Sequence, residues 1–237
     1  MGNINSNCIG GIWMKTAILI PARYGSTRFP GKPLALLDGI PMIKRVYDAC
    51  TASKIPTYVL TDDMRIYELF GPNKCWIEQI DYANGTERCA GAVKNDFFKQ
   101  YDQFINVQGD MPDVTVDIIH KCIVSLNQYE VSTVYTEMTK ELQNDPNSVK
   151  LIRSDCNALW FGRGMTGYGD WHLGVYGYRR NALSLYSNLE VTQEEQVEQL
   201  EQLRWLKNGW KIGAQSVYFN GVEINTPEDM EKWNDCR

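Results

Sequence analysis

A chain of 237 residues with 43% hydrophobic content can bury a sizeable core as one domain. The net charge of -5 excludes a general nucleic-acid coat, which needs a basic face, and no apolar run approaches the length of a membrane span. Seven scattered cysteines without a CxxC pair read as free thiols in a reducing cytosol, and two histidines leave no His-rich zinc site.

Residues 1–13 read as a leader or extension ahead of a single domain over residues 14–237. They lack the basic, long-apolar pattern of a signal peptide. The opening MGNINS matches the short myristoylation pattern, and Met14 offers an alternative start. The apolar run AILI at residues 17–20 then predicts a buried strand. The loop after it carries Arg23, Arg28 and Lys32 among Gly25, Ser26, Thr27 and Gly31. That mixture of cations, hydroxyls and N–H donors suits a polyphosphate; the bland alternative is a solvated loop of surface pairs. It is not a P-loop, because five residues separate Gly25 from Gly31 and Pro33 follows Lys32.

Residues 41–50 have helical spacing, with Pro41 at a plausible first position. Residues 57–61 predict a second strand, followed by Asp62, Asp63 and a short helix through Phe70. Residues 75–79 predict a third strand. NGTER at residues 84–88 is either a turn or the opening of a helix that runs to about Phe98. Residues 104–108 predict a further strand, ending at Gly109 and Asp110. Strands alternating with helices imply right-handed crossovers and a mainly parallel sheet, whose ligands bind at the carboxyl ends of the strands. Arg23, Asp62 and Asp110 all fall on that edge.

The second half differs. A helix over residues 114–126 precedes extended stretches at 131–135, 149–152, 158–161 and 173–178, with a Gly-rich loop at 162–169. Residues 194–207 predict one helix, with Val197, Leu200, Leu203 and Leu206 as its buried stripe and Gly209 ending it. A strand over residues 210–217 follows. Asn225 or Thr226 then caps the last helix, with Pro227 near its first position. Asp110, after an apolar strand and beside Gly109, is either a turn aspartate or a magnesium ligand completed by phosphate oxygens. His172, between Trp171 and Leu173, is either a satisfied structural residue or a ligand or acid–base group.

Taken together, the motifs resemble the 3-deoxy-manno-octulosonate cytidylyltransferase (CMP-Kdo synthetase) family. The resemblance rests on IPARYGSTRFPGKPL at residues 20–34, NGTER at 84–88, NVQGDMP at 106–112, VKL at 149–151, HLGVYGYR at 172–179, EQLEQLRWL at 198–206 and NTPEDM at 225–230. It implies a Rossmann-like α/β nucleotide-diphospho-sugar transferase fold, with a mainly parallel central sheet flanked by helices and a smaller mixed β insertion. The implied enzyme is a cytoplasmic, magnesium-dependent homodimer that activates an acidic 3-deoxy sugar with CTP. Its products would be a CMP-sugar and pyrophosphate, for surface polysaccharide or lipopolysaccharide synthesis. By the same resemblance, Ala22, Arg23, Ser26, Thr27, Arg28, Lys32 and Arg88 bind the nucleotide, with Arg23, Lys32 and Asp110 as the catalytic set. Gln108, Arg163, His172, Tyr176, Glu201 and Gln202 resemble the pocket for the acidic sugar, and Asp110 the magnesium ligand.

The chain departs from that family at four places. Asn225 stands where the family usually has a second metal-binding aspartate; Glu223, two residues away on the same side of an extended segment, is the candidate replacement. Asn84 replaces a common serine, and Tyr82 a common histidine. The segment between Phe161 and His172 is short and lacks the usual proline–tryptophan pair. These departures permit an altered sugar, such as an amino-substituted octulosonate. The alternatives are a sialate-type nucleotide-sugar transferase and a catalytically weak nucleotide-binding homologue.

Overall fold

The computed structural model describes residues 6–9, 12–25 and 29–235, so Ser26, Thr27 and Arg28 lie outside the described residues. Strands β1 (Ser6–Ile9) and β2 (Ile12–Ala22) form an antiparallel hairpin, so the strand expected at residues 17–20 begins earlier, at Ile12. The rest of residues 1–11 is outside the described set. The short strands β3 (Leu36–Leu37) and β4 (Ile40–Pro41) pair and lead into α1 (Met42–Thr51). The first half continues through β5 (Thr57–Thr61), α2 (Met64–Phe70), β6 (Cys75–Ile77), α3 (Gly85–Ala92) and β7 (Gln103–Val107). Next come α4 (Val116–Ser125), β8 (Val131–Thr136), α5 (Lys140–Asn144), β9 (Lys150–Ser154) and β10 (Asn157–Gly162). Strand β11 (Asp170–Arg179), α6 (Arg180–Leu185), α7 (Gln193–Glu198), α8 (Gln202–Lys207), β12 (Ile212–Ser216) and α9 (Pro227–Asp235) complete the order.

One sheet runs β6-β5-β2-β7-β11-β8-β12-β10-β9, with β1 added beside β2. Strands β6, β5, β2 and β7 pair in parallel, as the alternation of strands and helices predicts. Strand β11 runs antiparallel between β7 and β8, and β12 joins β8 in parallel. Strand β10 is antiparallel to β12 and β9, and β9 returns to the start of β11 at Leu151 and Lys150. This second half is the mixed β region, and β11 is the strand it shares with the parallel half.

Alternation along β2 explains why the sheet is buried on both faces. Ala17 and Leu19 join one apolar cluster with Phe104, Tyr178 and Trp205, whereas Ile18 and Ile20 join another with Ile105, Ile118 and Val175. A third cluster of Leu37, Met42, Ile224 and Trp233 docks α9 against α1. That contact brings the segment before α9 over the end of β7, where the Ile224 N–H donates to the Asp110 carbonyl at 3.0 Å.

Two helices expected as continuous are interrupted. The helix opened at Asn84 ends at Ala92, because Asn95 caps a separate 3-10 turn (Asp96–Gln100) by accepting from the Phe97 N–H at 2.9 Å. The helix expected over residues 194–207 splits into α7 and α8 at Gln199, whose φ of 55° and ψ of 46° are left-handed. Leu200 and Leu203 are buried as the periodicity requires, but Val197 is 73% exposed. The Glu198 bond to the Arg163 N–H, the Arg204 bond to Glu87 and the Glu195–Arg204 pair override the apolar stripe.

Candidate active site

At the carboxyl ends of the parallel strands, residues 84–88 build the first wall. The Asn84 side chain caps α3 by accepting from the Glu87 N–H at 2.9 Å, and Glu87 Oε2 reaches back to the Ala83 N–H at 3.0 Å. Asparagine therefore serves the cap that a serine would serve. Arg88, 4% exposed, donates through Nη2 to Asp62 Oδ2 at 2.6 Å, while its buried Nη1 makes no hydrogen bond to the protein. The Tyr82 ring lies 5.3 Å from the Arg88 guanidinium, and its hydroxyl donates to Glu78 Oε2 at 2.9 Å. Burial, reinforced by Glu78, pushes the Tyr82 phenol up to about 12, so it stays a neutral donor. Ala22 and Arg23 follow on the β2 end, with Arg23 exposed on the cleft wall.

The turn after β7 places Asp110. A Cβ on Gly109 would meet the Pro21 carbonyl oxygen at 3.1 Å, a tight contact with backbone, so glycine eases the close approach of the β2 and β7 ends. Lys32 Nζ, from a 3-10 turn (Lys32–Leu34), lies 2.7 Å from Asp110 Oδ2 and 3.1 Å from the Ile224 carbonyl. Glu223 Oε1 accepts from the Gly174 N–H at 3.2 Å. Burial, with the nearby Asp110 carboxylate adding to it, pushes the Glu223 carboxyl up to about 7. Asn225 lines the same cleft. Its N–H donates to Asp229 Oδ2 at 3.0 Å, as does that of Thr226, which immediately precedes α9. Two carboxylates and an amide form a hard-oxygen donor set that suits magnesium if phosphate oxygens and water complete it. Among the described residues no three His, Cys, Asp or Glu side chains form a metal cage by themselves.

The mixed β half supplies the opposite wall. Gln108 donates through Nε2 to Glu201 Oε1 at 3.0 Å, and Glu201 Oε2 accepts from the Thr86 N–H at 3.1 Å. Burial raises the Glu201 carboxyl above its usual range despite those bonds. Tyr176 donates to Gln202 Oε1 at 3.1 Å, leaving the buried Gln202 Nε2 without a protein partner. His172 Nε2 is 2.9 Å from Thr133 Oγ1, whose own hydrogen goes to the Val175 carbonyl at 2.8 Å. The hydroxyl can therefore only accept, so Nε2 carries the proton and Nδ1 of the neutral ring is an acceptor. Burial, then the charge of Arg163, pushes the His172 imidazole down to about 3. Arg163 is held by its N–H to Glu198 Oε2 at 2.7 Å and by its guanidinium to the Asn147 carbonyl.

These walls enclose one open cleft of about 880 Å³. Ala22, Arg23, Lys32, Arg88 and Asp110 line it on the nucleotide side, with Glu223 and Asn225 beside Asp110. Gln108, Arg163, His172, Tyr176, Glu201 and Gln202 line the remainder, so every described candidate converges on one space. Sequence reasoning missed Glu195 and Arg204, which also line it. Their nine-residue separation puts them on different faces of a continuous helix, and only the break at Gln199 brings them together.

A family model described as "Cytidylyltransferase" matches residues 17–212. The chain belongs to the cytidylyltransferase family. This cytidylyltransferase is 39% identical to an 8-amino-3,8-dideoxy-manno-octulosonate cytidylyltransferase of Shewanella sediminis, over 92% of this chain and 96% of the relative. The protein of that name from Shewanella halifaxensis is 38% identical, with the same coverage of 92% and 96%. A solved CMP:2-keto-3-deoxy-manno-octonic acid synthetase complexed with CTP superimposes with a TM-score of 0.83 at 32% identity, covering 94% of this chain and 98% of that one. A 4-diphosphocytidyl-2C-methyl-D-erythritol synthase from Anaerococcus prevotii has the same fold, with a TM-score of 0.62 at 14% identity over 93% and 97% of the two chains.

Proposed function

We propose that this enzyme transfers the cytidylyl group of CTP to the anomeric hydroxyl of an acidic 3-deoxy-octulosonate, releasing pyrophosphate. The observation that carries this reading is the single cleft, which joins Arg23, Lys32 and Asp110 to the Gln108–Glu201 and Tyr176–Gln202 pairs. As the hydroxyl oxygen bonds to the α-phosphorus, the hydroxyl loses its proton and the bond to the β-phosphate oxygen breaks. Such a transfer is dominated by positioning and charge stabilisation. Lys32 and Arg23 would stabilise charge on the triphosphate, with Ser26, Thr27 and Arg28 as further donors from the same loop. Arg88 would use its unpartnered Nη1 on the nucleotide. Magnesium, when bound, supplies electrostatic stabilisation of the phosphate oxygens; Asp110, Glu223 and Asn225 would hold it.

Within this class, the 8-amino sugar is the favoured acceptor. Among the described residues, Glu198 and Glu201 make no ion pair, although both line the cleft. Two such carboxylates suit an acceptor that carries an ammonium as well as an acid group, and Arg163 is placed for the acid. The reading extends to a homodimer, supported by the exposed Leu159, Tyr168 and Tyr218 of the mixed half, and to a cytoplasmic role in lipopolysaccharide synthesis. Among the described residues no helix is long and apolar enough to cross a membrane.

The test is pyrophosphate release from CTP and magnesium with 8-amino-3,8-dideoxy-manno-octulosonate, the unsubstituted sugar and a sialate. The amino sugar is expected to give the highest kcat/KM. Highest turnover with the unsubstituted sugar would reverse the acceptor assignment. Saturable CTP binding without release from any of the three would favour the catalytically weak homologue, to which Asn225 points.

A further inference from the structure

Arg204 lies where the two halves of the cleft meet. It is 2% exposed, and its guanidinium sits 4.3 Å from the Tyr186 ring. Nε and Nη2 donate to Glu195 Oε2 and Oε1 at 2.8 and 2.6 Å, and Nη1 donates to Glu87 Oε1 at 2.8 Å. Glu195 belongs to α7, on the far side of the left-handed Gln199. Glu87 belongs to the first turn of α3, next to Arg88. The Tyr186 hydroxyl donates to the Glu201 carbonyl at 3.0 Å and accepts from Asn84 Nδ2 at 3.3 Å, so one cluster reaches both walls.

Helix α7 is otherwise held by polar contacts nearer the surface: Glu198 Oε2 accepts from the Arg163 N–H at 2.7 Å, and Glu194 pairs with Lys207 at 2.6 Å. Glu195 is its one buried residue, and Val197 points to solvent. No apolar face fixes the six-residue helix, and its C-cap is a non-glycine in the left-handed region, a conformation that persists only when its surroundings impose it. A buried ion cluster is by itself weak evidence for stability, since apolar replacements are often neutral. Its geometric effect is better defined, because a planar guanidinium fixes two carboxylates in direction as well as distance.

We propose that Arg204 is a positioning residue. It sets the segment bearing Glu198 and Glu201 against the nucleotide loop at residues 84–88, so the acceptor pocket has its working shape only while both Glu195 and Glu87 are engaged. Its Nε, Nη1 and Nη2 are each engaged by a carboxylate, so Arg204 acts through Glu195 and Glu87 rather than on the acceptor itself. This inference rests on reading the far wall of the cleft as the acceptor site.

The experiment compares Glu87→Gln, Glu195→Gln, Arg204→Lys and the double variant Glu195→Gln/Arg204→Lys in the full chain. For each, kcat and the KM for CTP and for the active acceptor are measured at a temperature well below the melting transition. CTP affinity is measured separately by calorimetry without acceptor. The acceptor KM is expected to rise at least tenfold in each single variant, while CTP affinity stays within threefold. Lysine is expected not to rescue, because it keeps the charge but not the fork, and the double variant should be no worse than Arg204→Lys. An acceptor KM within twofold of the parent in Glu195→Gln and Arg204→Lys would overturn the proposal, as would additive effects in the double variant.

If no sugar in the panel supports turnover in the parent protein, the acceptor reading fails separately. The positioning role is then read from hydrogen exchange in the CTP-bound protein. Arg204→Lys is expected to speed exchange by at least tenfold both in α7 and at residues 84–88; unchanged protection at residues 84–88 would overturn it.

Discussion

Lys32 Nζ bridges Asp110 Oδ2 at 2.7 Å and the Ile224 carbonyl at 3.1 Å, joining three segments that are far apart in the sequence. The two side chains are 16% and 23% exposed, so the pair is part-buried, its attraction still partly screened by the open cleft, and it holds a cation beside the carboxylate turn. Lys32→Met is expected to lower kcat/KM by about 10²–10³, the usual loss when one charge-stabilising donor is removed. Its melting temperature should move by only a few degrees. Steady-state kinetics with a thermal melt test both halves; a large loss of stability with intact kcat/KM in the surviving fraction would refute the assignment.

Arg88 gives a sharper binding prediction. One of its terminal nitrogens is committed to Asp62 and the other is buried without a protein acceptor. Lysine cannot serve both directions. Arg88→Lys should weaken CTP binding about 10- to 100-fold, as the loss of a charged hydrogen bond predicts, and leave acceptor KM nearly unchanged. Calorimetric titration with CTP measures the first effect.

His172 predicts a pH effect on stability. The unfolded imidazole titrates near 6.5, whereas burial keeps the folded one neutral down to about 3. Its contribution is therefore complete above pH 6.5 and is lost as the pH falls toward 3, because the unfolded chain takes up the proton first. Between pH 7 and pH 5 the loss should be about 2 kcal/mol. His172→Gln, which cannot ionise, should flatten that part of the stability profile in denaturant melts. Equal slopes in the two proteins would show that His172 is not buried neutral.

Asn225→Asp adds a charge beside Asp110 and Glu223. Half-saturation by magnesium should fall several-fold, and rate at limiting magnesium should rise, because carboxylates bind the ion more strongly than an amide oxygen. A magnesium titration of pyrophosphate release decides this. An unchanged half-saturation point would remove Asn225 from the proposed ion site.

The parallel half of the fold was legible because β2, β5 and β7 are apolar runs bounded by glycine, aspartate or proline. Such strands must be buried on both faces, and their carboxyl ends locate Arg23, Asp62 and Asp110 without further information. Caps were legible where a side chain acts on its own backbone, as at Asn84. The split between α7 and α8 was not, because leucine spacing extends across Gln199 while the contacts that break the helix come from Glu87, Glu195 and Arg163. Tyr82 was equally opaque: its place depends on Glu78, Arg88 and the space left by Gly91, where a Cβ would lie 2.0 Å from the tyrosine hydroxyl.

Gly174 on β11 accepts from the Gln108 N–H at 3.1 Å and donates to Glu223 Oε1 at 3.2 Å, and a Cβ there would press on Gln108 Cγ at 3.0 Å. Within the sheet, the mixed strands pair with the parallel half through one shared ladder, β11 with β7. Off the sheet, the halves are also joined by shared apolar clusters and by the Arg204–Glu87 and Gln108–Glu201 bonds. Grafting strands β8–β12 from a relative with another acceptor should transplant substrate choice and keep CTP binding, provided Gly174 travels with Gln108 and Arg204 with Glu87 as matched pairs.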